Sequence, residues 1–297
     1  VERREAPVRC SHGHWRRTCA GPAVAGLLLG PAGAGAAHAE PVPPPAPTSS
    51  AVPPAAPGGF PVLDGETAAR LDRAVRDALR EAPVPGATVG LWAPGKGGYV
   101  QSFGTADEAT GAPMTPDLNL RIGSGTKTFT VTALLELVDR GAVGLDDTVD
   151  RYADGVPNGD RITLRQLAGA RSGLYNYSED EDFFTALTSN PRRPFTPGEL
   201  LAYSFKHPVQ FAPGAEFPYS NTNLILLGLV VEKAGGAPLD VFVRDNVLIP
   251  AGLHRTLFPT GAEFPVPHAH GYTDQTADGQ RADATDWNPS WGWAAGR

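Results

Sequence analysis

Beyond residue 19 the sequence contains no cysteine: Cys10 and Cys19 are the only two in 297 residues. A disulfide framework is therefore excluded for the body of the chain, which is long enough to build a core without one. Positive charge is also scarce. The formal net charge is -7 and no long basic run occurs, which argues against an electrostatic hold on nucleic acid. Long apolar runs are missing too. The longest near the N-terminus, Ala23 to Leu29, is too short and too interrupted by Gly and Pro nearby to span a bilayer, so no stable membrane anchor is expected. There is no internal repeat and no Gly-x-Ser-x-Gly, so an alpha/beta-hydrolase triad is unsupported.

What is present begins with an export signature. Arginines at 3, 4, 9, 16 and 17 precede the apolar run, and small residues end in Ala37-His38-Ala39, so residues 1–39 read as a signal peptide cleaved after Ala39. Cys19 lies before the apolar run, where a lipid-modified cysteine would not stand. Residues 40–59 are dominated by Pro and Ala without apolar periodicity and read as an extended linker. The folded domain is expected over 60–297, and the protein is expected to be secreted.

Within that domain, Ala68, Leu71, Val75, Ala78 and Leu79 recur at helical spacing, predicting an amphipathic helix over about 66–81, closed by Pro83 and Pro85. Ala87–Trp92 and Gly98–Phe103 read as two strands around the turn 93–97. Two strands alone are marginal in water, so further partners are needed. Phe129–Val138 and Leu224–Val231 are apolar on nearly every face, the pattern of centrally buried helices. Thr163 with Gln166, and Thr196 with Glu199 behind Pro197, form capping boxes that open two more helices. From Arg121 to Pro250 the chain is thus expected to be mainly helical.

The chemistry centres on Gly123-Ser124-Gly125-Thr126-Lys127, which holds the only Ser-x-x-Lys in the chain. A serine hydroxyl needs a base, and a lysine whose pKa is lowered by burial can serve. On a helix, positions three apart share a face, so the Lys127 amine would sit one turn from the Ser124 hydroxyl. The first turn also offers free backbone N–H groups to developing negative charge. The second candidate is the only Tyr-x-Asn, Tyr219-Ser220-Asn221, just ahead of the second buried helix. A tyrosine near a lysine ammonium loses its proton more readily, and an asparagine amide both donates and accepts.

Together with Arg121-Ile122-Gly123-Ser124, Asp160-Arg161-Ile162-Thr163, Arg171-Ser172-Gly173-Leu174-Tyr175, Ala212-Pro213-Gly214-Ala215, Tyr219-Ser220-Asn221-Thr222-Asn223 and His268-Ala269-His270-Gly271-Tyr272, these residues resemble the serine beta-lactamase-like family. That family includes class C beta-lactamases and secreted actinobacterial D-alanyl-D-alanine carboxypeptidases, to which the likeness is strongest. The resemblance implies an α/β (α+β), beta-lactamase/transpeptidase-like fold, an antiparallel sheet flanked by helices plus an all-helical subdomain. It implies an acyl-enzyme mechanism in which Ser124 attacks a D-alanyl-D-alanine peptide bond and Tyr219 and Lys127 relay its proton. Asn221 would position Lys127 and the substrate amide, the Ser124 N–H would serve the oxyanion, and Trp291 would stand beside the substrate. Peptidoglycan stem peptides or other D-amino-acid peptides and beta-lactams are the implied partners. No cofactor is expected, and a monomer is. A beta-lactamase or an esterase of the same mechanism is the alternative.

The family's third motif, His-x-Gly or Lys-x-Gly on a late strand, is not found in the 76 residues after Asn221, whose single Lys-x-Gly, Lys233-Ala234-Gly235, ends the second buried helix. The expectation is accordingly a sheet lacking its C-terminal strands, in a fragment or a truncated product. A non-catalytic penicillin- or peptidoglycan-binding remnant is the competing reading. His268-Ala269-His270 has metal-like spacing but no further ligand at a fitting position, so no metal is expected. Glu179-Asp180-Glu181-Asp182 reads as a solvated acidic turn.

Overall fold

Asp64 opens the first helix by accepting a hydrogen bond from the Thr67 N–H at 2.9 Å, and α1 runs Gly65–Glu81. Its apolar stripe, Ala68, Leu71, Val75 and Leu79, packs on Leu63, Tyr99 and Phe103. The sequence period and the packed face therefore coincide except at Ala78, which is exposed. In this computed structural model the described residues are 62–82 and 84–296; the predicted signal peptide and the Pro/Ala linker lie outside them.

β1 (Gly86–Ala93) and β2 (Gly97–Asp107) form the expected hairpin, antiparallel in a register from Gly86↔Gly104 to Ala93↔Gly97. β2 is longer than its predicted core because it goes on to pair with β3 (Ala112–Pro113) across a register shift at Thr105/Asp107. Among the described residues this sheet has the order β1-β2-β3, and a separate two-stranded ladder joins β4 (Tyr272–Thr273) to β5 (Ala282–Asp283).

The rest is mainly helical: α2 (Thr126–Asp139), α3 (Leu164–Ala168), α4 (Glu181–Ser189), α5 (Pro197–Phe205), α6 (Asn221–Gly235) and α7 (Leu239–Val243). Both capping boxes form. The Thr163 and Thr196 hydroxyls accept from the N–H groups of Gln166 and Glu199, whose side chains reach back to the cap N–H groups. α6 buries Leu224 to Leu227, Val230 and Val231 and packs against Ala133, Leu134 and Leu137 of α2. An all-round apolar helix has no solvent face to offer, so it becomes the axis of the core. It ends at Gly236, whose φ of 68° is a left-handed cap that glycine adopts without strain.

The segment after β5 closes over this helix pair. A Cβ on Gly228 of α6 would stand 2.7 Å from both the Ala294 methyl and the Trp293 ring. Only glycine permits that approach. Gly228→Ala is expected to lower stability by about 1–3 kcal/mol through overpacking, read as a lower Tm; an unchanged Tm would show that the 293–295 segment yields freely.

The acidic run at 179–182 departs from expectation. Asp180 is buried rather than solvated: it caps α4 through the Phe183 N–H at 2.9 Å. It also meets His207 at 2.6 Å and Lys206 at 2.9 Å, so the run ties α4 to the end of α5.

Candidate active site

Ser124 sits in a 3-10 turn, Gly123–Gly125, immediately before α2 rather than inside its first α-helical turn. The turn closes through the Gly125 N–H to the Ile122 carbonyl at 3.0 Å, and Gly123 takes a φ of 50°, in the left-handed region. Glycine at 123 lets the chain reverse into the helix and leaves the Ser124 hydroxyl exposed at its mouth. The Ser124 N–H precedes any intrahelical acceptor and remains available to an anion.

Lys127 lies one turn on, and its Nζ donates to Ser124 Oγ at 3.1 Å, the contact that the spacing predicts. Tyr219 approaches from the loop before α6, with its Oη 2.7 Å from Ser124 Oγ. The lysine nitrogen stands 4.8 Å from the centre of the Tyr219 ring. Serine, lysine and tyrosine thus share one hydrogen-bonded cluster, although 95 residues separate Ser124 from Tyr219. Burial pushes the Lys127 pKa below its ordinary range, and the neighbouring Tyr219 opposes that shift. Tyr219 itself is 53% exposed, so the cluster opens to solvent on the tyrosine side.

A backbone group that the sequence reading did not include completes the lysine's environment. The Ala295 carbonyl accepts from Lys127 Nζ at 2.5 Å, and the neighbouring Ala294 carbonyl accepts from Thr130 Oγ1 at 2.7 Å. The 291–295 segment is held in turn by the buried Tyr177, whose hydroxyl donates to the Trp291 carbonyl at 2.7 Å. Trp291 is half-buried against the helical core.

Asn221 stands at the first position of α6, and among the described residues the Lys127 amine bonds Ser124 and the Ala295 carbonyl rather than the Asn221 side chain. Its Nδ2 donates to Ser178 Oγ at 2.9 Å, and its backbone N–H donates to Asn176 Oδ1 at 3.0 Å. Asn176 and Ser178 follow directly on the Arg171–Tyr175 motif and lead into the acidic run at 179–182, and nothing in that polar stretch singles them out. Of the other sequence candidates, His270 pairs with Asp283 at 2.6 Å and His268 stacks on Phe264 at 4.6 Å. Among the described residues no group of three or more His, Cys, Asp or Glu is placed to hold a metal ion, and no helix is long and apolar enough to cross a membrane.

Comparison with known proteins fits this geometry. Residues 71–297 match the sequence profile of the family described as Beta-lactamase. Esterase EstB of Burkholderia gladioli is 34% identical over 230 residues, 72% of this chain. The chain spans 58% of that esterase's own length. Among solved structures, a D-stereospecific amidohydrolase from Streptomyces sp. aligns with a TM-score of 0.69 at 33% identity, over 77% of this chain and 68% of the other. The D-amino acid amidase of Ochrobactrum anthropi gives a TM-score of 0.65 at 31% identity, over 77% and 64%. These neighbours carry the beta-lactamase/transpeptidase-like fold that the motifs imply. A profile match over most of the chain, at a site where serine, lysine and tyrosine meet in that fold, leads to one conclusion: the chain belongs to the beta-lactamase family of serine hydrolases.

Proposed function

We propose that Ser124 forms an acyl-enzyme with substrates whose scissile bond is an amide to a D-amino acid, D-alanyl-D-alanine carboxypeptidase activity on peptidoglycan-type stem peptides being the peptide form of that reaction. The observation that carries this reading is the hydrogen-bonded Ser124–Tyr219–Lys127 cluster, in which the serine proton has an immediate acceptor. The similarity to two D-selective amide hydrolases supports the stereochemistry.

In this reaction Ser124 Oγ adds to the carbonyl carbon while its proton passes into the Tyr219–Lys127 pair. The Ser124 N–H receives the developing oxyanion, a type of contact whose loss raises a barrier by about 3 kcal/mol. Collapse expels the amine, which takes the proton back from the pair, and water then releases the acid. The Ala295 carbonyl anchors Lys127 Nζ throughout, so the amine moves little between steps. Beta-lactams present the same acyl chemistry and acylate the same serine. The basic and apolar N-terminal signature supports action outside the cell, in the cell-wall space. An esterase is the second reading, supported by the similarity to EstB.

A panel of p-nitroanilides of D- and L-alanine, a D-alanyl-D-alanine peptide, nitrocefin and p-nitrophenyl acetate tests the assignment. The D-anilide is expected to exceed the L-anilide in kcat/KM by at least about tenfold, with nitrocefin trapped slowly and stoichiometrically. Equal rates on both enantiomers would overturn the D-amide reading. Turnover confined to the acetate would favour the esterase, and fast nitrocefin hydrolysis a beta-lactamase.

A further inference from the structure

A cavity of about 300 Å³ opens between the stretch that leads into the nucleophile turn, residues 116–122, and the loop 255–265. Hydrogen bonds stitch its walls together. The Asn119 side chain donates to the Pro265 and Pro267 carbonyls at 3.3 and 2.9 Å, and Arg121 Nη2 donates to the Ala262 carbonyl at 3.1 Å. Leu120, Ile122, Leu257 and Phe264 give the cavity its apolar surface, and the first three are left 43%, 51% and 52% exposed.

Arg121 is the anomaly in this wall. Its guanidinium lies over the Phe264 ring, 4.8 Å from the centroid, and it is half-buried. Burial pulls its pKa below the usual guanidinium range while leaving it charged, and no carboxylate pairs with it among the described residues to offset that cost. Its Nε is enclosed and has no hydrogen-bond partner. A cation in that state keeps much of its desolvation penalty, and the guanidinium fork is shaped to take a carboxylate. Arg255 also lines the cavity, but it is already engaged, donating to the Asp117 carbonyl at 2.7 Å. Glu263 lines it too and makes no ion pair among the described residues, although its natural partner, Arg121, stands in the same cavity. Two opposite charges that share a cavity without neutralising each other suit a ligand that carries both.

We infer that this cavity binds a free apolar amino acid, with its carboxylate on Arg121, its ammonium on Glu263 and its side chain against Leu120, Ile122, Leu257 and Phe264. A plain carboxylate would satisfy Arg121 and be repelled by Glu263; a plain amine would meet the reverse. The volume lies at the small end of ligand pockets, room for one amino acid rather than a peptide. Ser124, Lys127 and Tyr219 are not among the lining residues, so the site is separate from the nucleophile cluster; it adjoins the nucleophile turn through Ile122, whose carbonyl closes that turn. An amino acid freed by the proposed hydrolysis has the right chemistry, but binding here does not depend on that reading.

Titration calorimetry with D-leucine, isocaproate, which is the same skeleton without the ammonium, and isoamylamine, which lacks the carboxylate, tests it. D-leucine is expected to bind saturably and about tenfold or more tighter than either analogue. Glu263→Gln, at an exposed position, is expected to weaken D-leucine to the level of isocaproate without weakening isocaproate itself. Arg121→Gln is expected to abolish saturable binding of both, with a thermal melt to show that it folds; if it does not fold, Glu263→Gln decides alone. Equal affinity for D-leucine and isocaproate in the wild type would mark a plain carboxylate site and overturn the amino-acid assignment. Binding indifferent to Glu263→Gln would place the ligand elsewhere, and no saturable binding at all would leave no site; either overturns the inference. The acyl-enzyme reading is scored separately, by Ser124-dependent turnover of p-nitrophenyl acetate, so each can fail without the other.

Discussion

Ser124→Ala is expected to abolish covalent capture of a fluorescent penicillin and to lower kcat/KM on any substrate by at least about 10⁴-fold. The residual rate would come from binding and the backbone N–H alone, because Ser124 supplies the hydroxyl that Lys127 and Tyr219 both contact. The same substitution should leave stability within about 0.5 kcal/mol. Ser124 is exposed, and its turn is closed by the Gly125–Ile122 backbone bond and the left-handed Gly123, neither of which involves its side chain. Catalysis and folding are thus separable at this position. Gel labelling beside a thermal melt would check both, and retained labelling with an unchanged Tm would move the nucleophile elsewhere.

The parts of this site that could be read in the sequence are those whose geometry is local. The one-turn spacing from Ser124 to Lys127, the two capping boxes and the apolar stretch of α6 are written in residue order, whereas α2 keeps an exposed face at Thr128, Thr132 and Leu135 that its apolar stretch did not announce. Tyr219 was legible only because its motif adjoins the second buried helix. The remainder is made of contacts that leave no local trace. Ala295 acts through a backbone carbonyl 168 residues from Lys127, and every residue has a carbonyl, so nothing at 295 announces it. Asn221 illustrates the complementary difficulty: its identity was visible but its direction was not, because Ser178 and Asn176 decide it from another loop. Asp180 departed from a solvated turn for the same reason, since His207 and Lys206 reach it from the end of α5.

Lys127→Met should reduce acylation by roughly 10²–10⁴-fold, the usual contribution of a positioned acid–base group, and its pH dependence is the more informative part. Burial favours the neutral amine and lowers the Lys127 pKa, with Tyr219 opposing. The proton-accepting form therefore accumulates as pH rises through that lowered value. The wild-type acylation rate should climb along a limb lying below the ordinary lysine range of about 10.4, and Lys127→Met should lose that limb. Removing the opposing phenol by Tyr219→Phe should move the limb further down in pH, whatever it does to the maximal rate. Stability carries the same sign. Between the lowered pKa and the ordinary one, the unfolded chain binds a proton that the native chain has released, so wild-type stability rises with pH across that window. Below the window both states are protonated and the full desolvation penalty remains. The variant has no such group, so the stability difference between wild type and Lys127→Met should shift towards the wild type as pH rises through the window. Denaturant melts at several pH values would measure this shift. A difference independent of pH would mean that Lys127 keeps its ordinary pKa in the folded protein, and the case for it as the base in the cluster would fall.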